Sequence, residues 1–121
     1  MPHELIINHE LNFVHLTYTG EVLFDERTEA KAEVFQACED HNLARSLVDM
    51  RNSDIRMSEK DVVKFASSFQ RAKLLPNYRL ACVIGEHNQS ENLLEVMISL
   101  EGINAKYFMS FDDAVSWLTA V

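Results

Sequence analysis

The sequence predicts an α/β domain: a single-layer mixed β-sheet, opened by an antiparallel hairpin and continued by parallel strands, flanked by about four helices. Three observations lead there. The hydrophobic period switches repeatedly between that of a strand and that of a helix. After the opening hairpin, strands alternate with helices, which implies parallel pairing through right-handed crossovers. The chain of 121 residues, 47% hydrophobic and 25% charged, has the size and composition of one domain spanning 1–121.

Glu4 to His9 and Phe13 to Thr19 read as strands joined by a tight turn at Glu10-Leu11-Asn12. In the second, Val14, Leu16 and Tyr18 share one side and Phe13, His15 and Thr17 the other, until Gly20 breaks the alternation. From Asp25 to about His41 the spacing is helical, with Ala30, Val34, Ala37 and Cys38 as the apolar stripe. Ser46 to Met50 is a short buried strand, and Arg51 to Arg56 is the densest turn-like stretch. A second helix runs from Ser58 to about Leu75, carrying Val62, Phe65, Ala66, Phe69 and Ala72, and Pro76-Asn77 stops it. Tyr78 to Ile84 is the most apolar strand. Ser90 to Leu100 is a third helix, with Gly102 suited to the left-handed position beyond its end. Lys106 to Met109 is a last strand, and Phe111 to Ala120 a last helix. Ser58 and Ser110 each stand three residues before an acid, close to a capping box.

Composition excludes several functional classes. The net charge of −8, with eleven Lys and Arg scattered singly among acids, repels phosphate backbones and anionic lipid, so nucleic acid is not expected as a partner. No segment reaches the length of a membrane span, and Met1-Pro2-His3-Glu4 has neither the basic start nor the apolar core of a signal peptide. The two cysteines, Cys38 on a helix and Cys82 in an apolar strand, read as reduced packed thiols, which points to the cytoplasm.

Motifs for chemistry are mostly missing. Gly20, Gly85 and Gly102 are isolated, so no loop has the glycines needed to bring several amides onto a phosphate. Five histidines are spread out without paired ligand spacing; His9 and His15 fall on neighbouring strands but lack a third ligand. No Gly-x-Ser-x-Gly elbow occurs. No cofactor, no metal and no enzyme activity is therefore expected.

Topology supplies a candidate site, because ligands of open α/β sheets bind beyond the carboxyl ends of the parallel strands. Those ends carry Arg51, Asn52, Ser53, Asp54, Arg56 and Ser58, then His87 and Asn88, then Ser110 to Asp112. Two guanidinium groups in one stretch of an acidic chain, beside helix N-termini, suit an anion or a protein partner. The competing reading is that Arg51 pairs with Asp49 or Asp54 and that Ser58 and Ser90 only cap helices. Met50, Ile55 and Met57 are apolar for a loop, which fits a partner surface or a loop folded onto the core. Leu93, Val96 and Leu100 lie off the stripe of Leu94, Met97 and Ile98, an excess that fits burial on several sides or a homodimer contact. A second candidate is an apolar pocket for a small lipid-like ligand, walled by Phe65, Phe69, Tyr78, Met97 and Trp117; the competing reading is ordinary core.

The two-strand start, Leu47-Val48-Asp49-Met50-Arg51, Arg79-Leu80-Ala81-Cys82-Val83-Ile84-Gly85, and the ending Phe111-Asp112-Asp113-Ala114-Val115-Ser116-Trp117-Leu118 together resemble the SpoIIAA-like family, small bacterial relatives of STAS domains. The resemblance covers almost the whole chain in element order. It implies a mixed sheet flanked by helices and a non-enzymatic, regulatory role in binding proteins. Anti-sigma-factor antagonists of that kind carry a phosphorylatable serine in an Asp-Ser-Ser-Gly context at the start of the second helix. Here the region reads Ile55-Arg56-Met57-Ser58-Glu59-Lys60, so Ser58 is the positional candidate, without the Ser-Gly that should follow.

Overall fold

A computed structural model describes residues 2–120, with side chains for all of these except residues 89 and 90. The helix-capping role expected of Ser90 thus lies outside the described side chains. Five strands form one sheet in sequence order: β1 (His3–Asn8), β2 (Phe13–Leu23), β3 (Arg45–Arg56), β4 (Arg79–Val83) and β5 (Asn104–Phe108). β1 pairs antiparallel with β2, and every later pair is parallel. The connecting helices are α1 (Phe24–His41), α2 (Glu59–Ser67) and α3 (Asn92–Leu100), and α4 (Phe111–Thr119) closes the chain. No helix among the described residues is long and apolar enough to cross a membrane.

A sheet whose strands follow chain order must send its successive crossovers over one face. That face holds the larger core, where Val14, Leu16 and Tyr18 of β2 and Leu80 and Cys82 of β4 meet Val34 and Phe35 of α1, Phe65 of α2 and Ile98 of α3. The opposite face is left to α4, whose Ala114 and Leu118 seal Phe13, Leu47, Ala81 and Val83. The alternation of side chains along β2 thus divides its residues between two cores.

Three elements differ from expectation. β3 does not end at Met50. It continues to Arg56, paired with a β2 that passes through Gly20 to Leu23, and the register slips between Thr17 and Thr19 as at a β-bulge. Gly20 sits at φ +72, and a side chain there would meet no atom within 4 Å of its Cβ, so backbone conformation, not crowding, favours glycine. α2 stops at Ser67, where the Ser67 and Ser68 hydroxyls donate to the carbonyls of Lys64 and Phe65, and a short 3-10 turn over Gln70–Leu74 completes the crossover. A further 3-10 segment, Glu86–Glu91, precedes α3. Both expected serine caps form: the Ser58 and Ser110 hydroxyls accept from the amides of Asp61 and Asp113.

Candidate functional site

Beyond Asp49, β3 loses its β4 partner and continues with β2 alone, so a two-stranded ribbon overhangs the carboxyl end of the sheet. Past the last β4 pairing, the backbone carbonyls of Met50 and Ser53 take side-chain donors instead of a strand's, since buried carbonyls need donors. The turn after β4 provides them. Asn88, 5% exposed, donates through Nδ2 to the Met50 carbonyl at 2.8 Å and accepts at Oδ1 from the Gly85 amide at 2.7 Å. His87 Nε2 donates to the Ser53 carbonyl at 2.9 Å, and the buried Ser53 hydroxyl donates to the Met50 carbonyl at 2.8 Å. Ser53, His87 and Asn88 therefore form one hydrogen-bonded clamp. Its visible work is to hold the ribbon, and Ser53, at 2% exposure, is buried within it.

The other predicted rim residues face elsewhere. Arg51 turns to α4, with its guanidinium 5.3 Å from the centre of the Phe111 ring, gripped in two-pronged fashion by Asp49 at 3.0 and 2.8 Å. Burial works to raise the Asp49 carboxyl, but the Arg51 side chain and amide outweigh it and hold the group below its ordinary value. Arg56 lies exposed at the ribbon tip, against Asp54 at 2.9 Å and Glu21 at 3.4 Å. Asn52 is exposed, and Ser58 is exposed as the cap of α2. The rim is thus not one concave anion site: Arg51 is paired with Asp49, as the competing sequence reading allowed, and Arg56 also has carboxylate partners in Asp54 and Glu21.

The five residues expected around one apolar pocket are also separated. Phe65, Phe69 and Tyr78 meet on the α1–α3 side, where the Phe65 and Phe69 rings are 5.5 Å apart. Met97 borders a groove between α2 and α3. Trp117 lies across the sheet against Phe108 at 5.8 Å. The space bordered by Tyr18, Phe65, Phe69, Tyr78 and Tyr107 measures about 30 Å³, room for about one water molecule. A pocket for a drug-sized ligand spans roughly 300–1,000 Å³. Burial pushes the Cys82 thiol beside it up to about 12, which leaves no thiolate for nucleophilic work.

Two features carry more than the sequence pattern alone conveys. Arg27, 3% exposed, is buried in the larger core and paired with Glu91 at 2.6 and 3.1 Å, its guanidinium 4.6 Å from the centre of the Phe65 ring. Its position three and seven residues before Ala30 and Val34 sets it on the apolar stripe of α1, a signal that is present in the spacing. The second is the groove between α2 and α3. It opens from the β3 end through Ile55 and Met57 and is walled by Val62, Val63, Leu93 and Met97, with Val63 55% and Leu93 60% exposed. The apolar excess noted at Ile55, Met57 and Leu93 thus gathers in one place.

Among the described residues no cluster of three metal-ligating side chains occurs, and His9 lies against His41 at 5.9 Å. The sequence matches no family model and no curated protein. Solved structures do match over nearly the full length. An uncharacterized protein from the DUF3478 family with a SpoIIAA-like fold, from Shewanella loihica PV-4, aligns with a TM-score of 0.62 at 13% identity, covering 96% of this chain and 93% of its own. The anti-sigma factor antagonist SpoIIAA in its unphosphorylated form aligns with a TM-score of 0.63 at 12% identity, covering 98% and 99%. The chain has a SpoIIAA-like fold. At these identities the likeness is one of fold, and it agrees with the resemblance carried by the strand and terminal-helix residues of the sequence. Within the SpoIIAA-like fold of this chain, Ser58 occupies the cap of α2, directly between Met57 and Glu59 of the groove mouth.

Proposed function

We propose that this chain is a non-catalytic regulatory module that docks a protein partner where the end of β3 meets α2 and α3. One observation carries the reading: a continuous apolar groove opens at that edge, with Val63 and Leu93 more than half exposed on its walls. Isolated apolar residues are ordinary on a surface, but a gathered patch beside a concave seam marks an interaction site. The SpoIIAA-like fold supports a regulatory role, since one of the proteins sharing it is an anti-sigma factor antagonist. Arg56, Asp54 and Glu21 on the adjoining ribbon offer a polar rim to such a contact. The Ser58 hydroxyl is exposed at the groove mouth, so a phosphate added there would alter docking directly; the neighbouring Glu59 and Asp61 would oppose its charge.

The experiment is capture from native extract with wild type, Leu93→Glu and Arg56→Glu. A protein held by wild type and lost with Leu93→Glu supports the groove, and a change in its capture with Arg56→Glu extends the contact to the ribbon. Equal capture by all three removes this face from consideration.

A further inference from the structure

We infer that the segment received by this groove is an amphipathic helix with basic flanks, an inference that rests on the docking role proposed above and specifies its partner. Two adjoining depressions share Val63 and Met97 and make one trough along α2 and α3. The one at the Ile55 end has a volume of about 460 Å³ and the one at the Leu100 end about 290 Å³. Each of the two helices has nine residues, so the trough follows them for about 13 Å. A helix laid along it can seat apolar residues at i, i+3 or i+4, and i+7 over that distance.

The charge at the trough selects among helices. Every ionisable side chain lining it among the described residues is a carboxylate: Glu59 and Glu91 at one end, Glu101 at the other. Glu91 is already neutralised by Arg27. Glu59 and Glu101 enter no ion pair among the described residues, so one free carboxylate marks each end. Lys64, on the same helix as Glu59, is turned away over the Phe24 ring at 6.0 Å. The net charge of −8 adds a field that repels an acidic segment and draws in a basic one. A second copy of this chain would bring further carboxylates to a trough that has no lining cation.

The test uses two labelled, amidated fourteen-residue peptides with leucine on one helical face and either lysine or glutamate on the other, titrated at about 0.15 M salt. The lysine peptide is expected to bind wild type, with the glutamate peptide weaker by roughly tenfold or more. The Val63→Ser/Leu93→Ser variant keeps the net charge, and with its fold checked by circular dichroism it should weaken the lysine peptide by roughly tenfold. Glu59→Gln/Glu101→Gln should weaken it too and flatten its salt dependence. Unchanged affinity in the serine variant would mean simple attraction to an acidic surface and overturn the inference, as would equal binding of both peptides or binding of neither. Failure of the peptides alongside Leu93→Glu-sensitive capture from extract would sink the basic helix and leave the docking role standing.

Discussion

Arg27 carries a charge into the interior. Its guanidinium sits 3% exposed between α1, the Phe65 ring and Glu91, and both Glu91 oxygens accept from it. Burial opposes its charge, and Glu91 restores it so fully that its affinity for the proton rises above the ordinary value. Removing one member of such a pair leaves the other charged and unpaired in the core. Arg27→Met should therefore destabilise the fold by about 3–5 kcal/mol, whereas Arg27→Met/Glu91→Leu should recover most of that loss. Urea denaturation of the three proteins checks this, and a double variant no more stable than the single one would show that packing, not charge, is the source. His15 offers a second residue-level test. It packs against Phe13 and Phe111, and burial lowers its pKa, Asp49 and Glu4 pulling it upward and Arg51 downward. The folded state thus binds this proton less readily than the unfolded chain does, so stability rises with pH across the interval between the two values. The contribution is complete above about pH 6.5 and shrinks as pH falls through the lowered folded value. His15→Gln should show a smaller loss in urea midpoint between pH 7.5 and 5 than wild type.

At the scale of elements, the ribbon shows where a pattern is readable and where it is masked. Arg51 to Arg56 looks like a loop because four of its six residues are charged or amide-bearing. Yet Ser53 and Ile55 turn inward while Asn52, Asp54 and Arg56 are exposed, the alternation of a strand with one face in water. Composition hides a period that only pairing with β2 makes visible. His87 and Asn88 read from the sequence as parts of a binding rim, and their place in the clamp depends on β3 running on past its last β4 pairing, which no local pattern announces. Asn88→Ala would leave the Gly85 amide without its partner and the Met50 carbonyl with the Ser53 hydroxyl alone, at a cost of roughly 1–3 kcal/mol. Faster hydrogen exchange across 50–56, with little change in α4, is the expected signature; uniform acceleration would mean the clamp is not local. For α2, the helical stripe from Val62 to Ala72 is legible, but the break at Ser67 is not. It comes from two hydroxyls bonding back to their own helix, an outcome that competes closely with continued helix.

At the scale of the whole molecule, one sheet separates two cores. Trp117 belongs to the smaller, beneath α4, while the α1–α3 side holds the larger. Because β2, β3 and β4 contribute side chains to both, neither core can melt without disrupting the other. We propose on this ground that residues 1–121 fold as one cooperative domain. Trp117 fluorescence and far-ultraviolet circular dichroism should then report the same urea midpoint. A Trp117 transition preceding the loss of helix would show that α4 detaches on its own.

The sequence by itself determined the order of the elements, the antiparallel opening, the parallel remainder and the serine caps of α2 and α4. These follow from local periodicity and from hydrogen bonds spanning three or four residues. It also exposed the surplus of apolar residues on α3 and at Ile55 and Met57. Tertiary structure decided everything that depends on which side of the sheet a residue lands: the separation of Trp117 from Phe65, the burial of Ser53, and the joining of α2 and α3 into a groove. The physical reason is that periodicity fixes which residues share a face, whereas what covers that face is set by contacts between segments far apart in the chain.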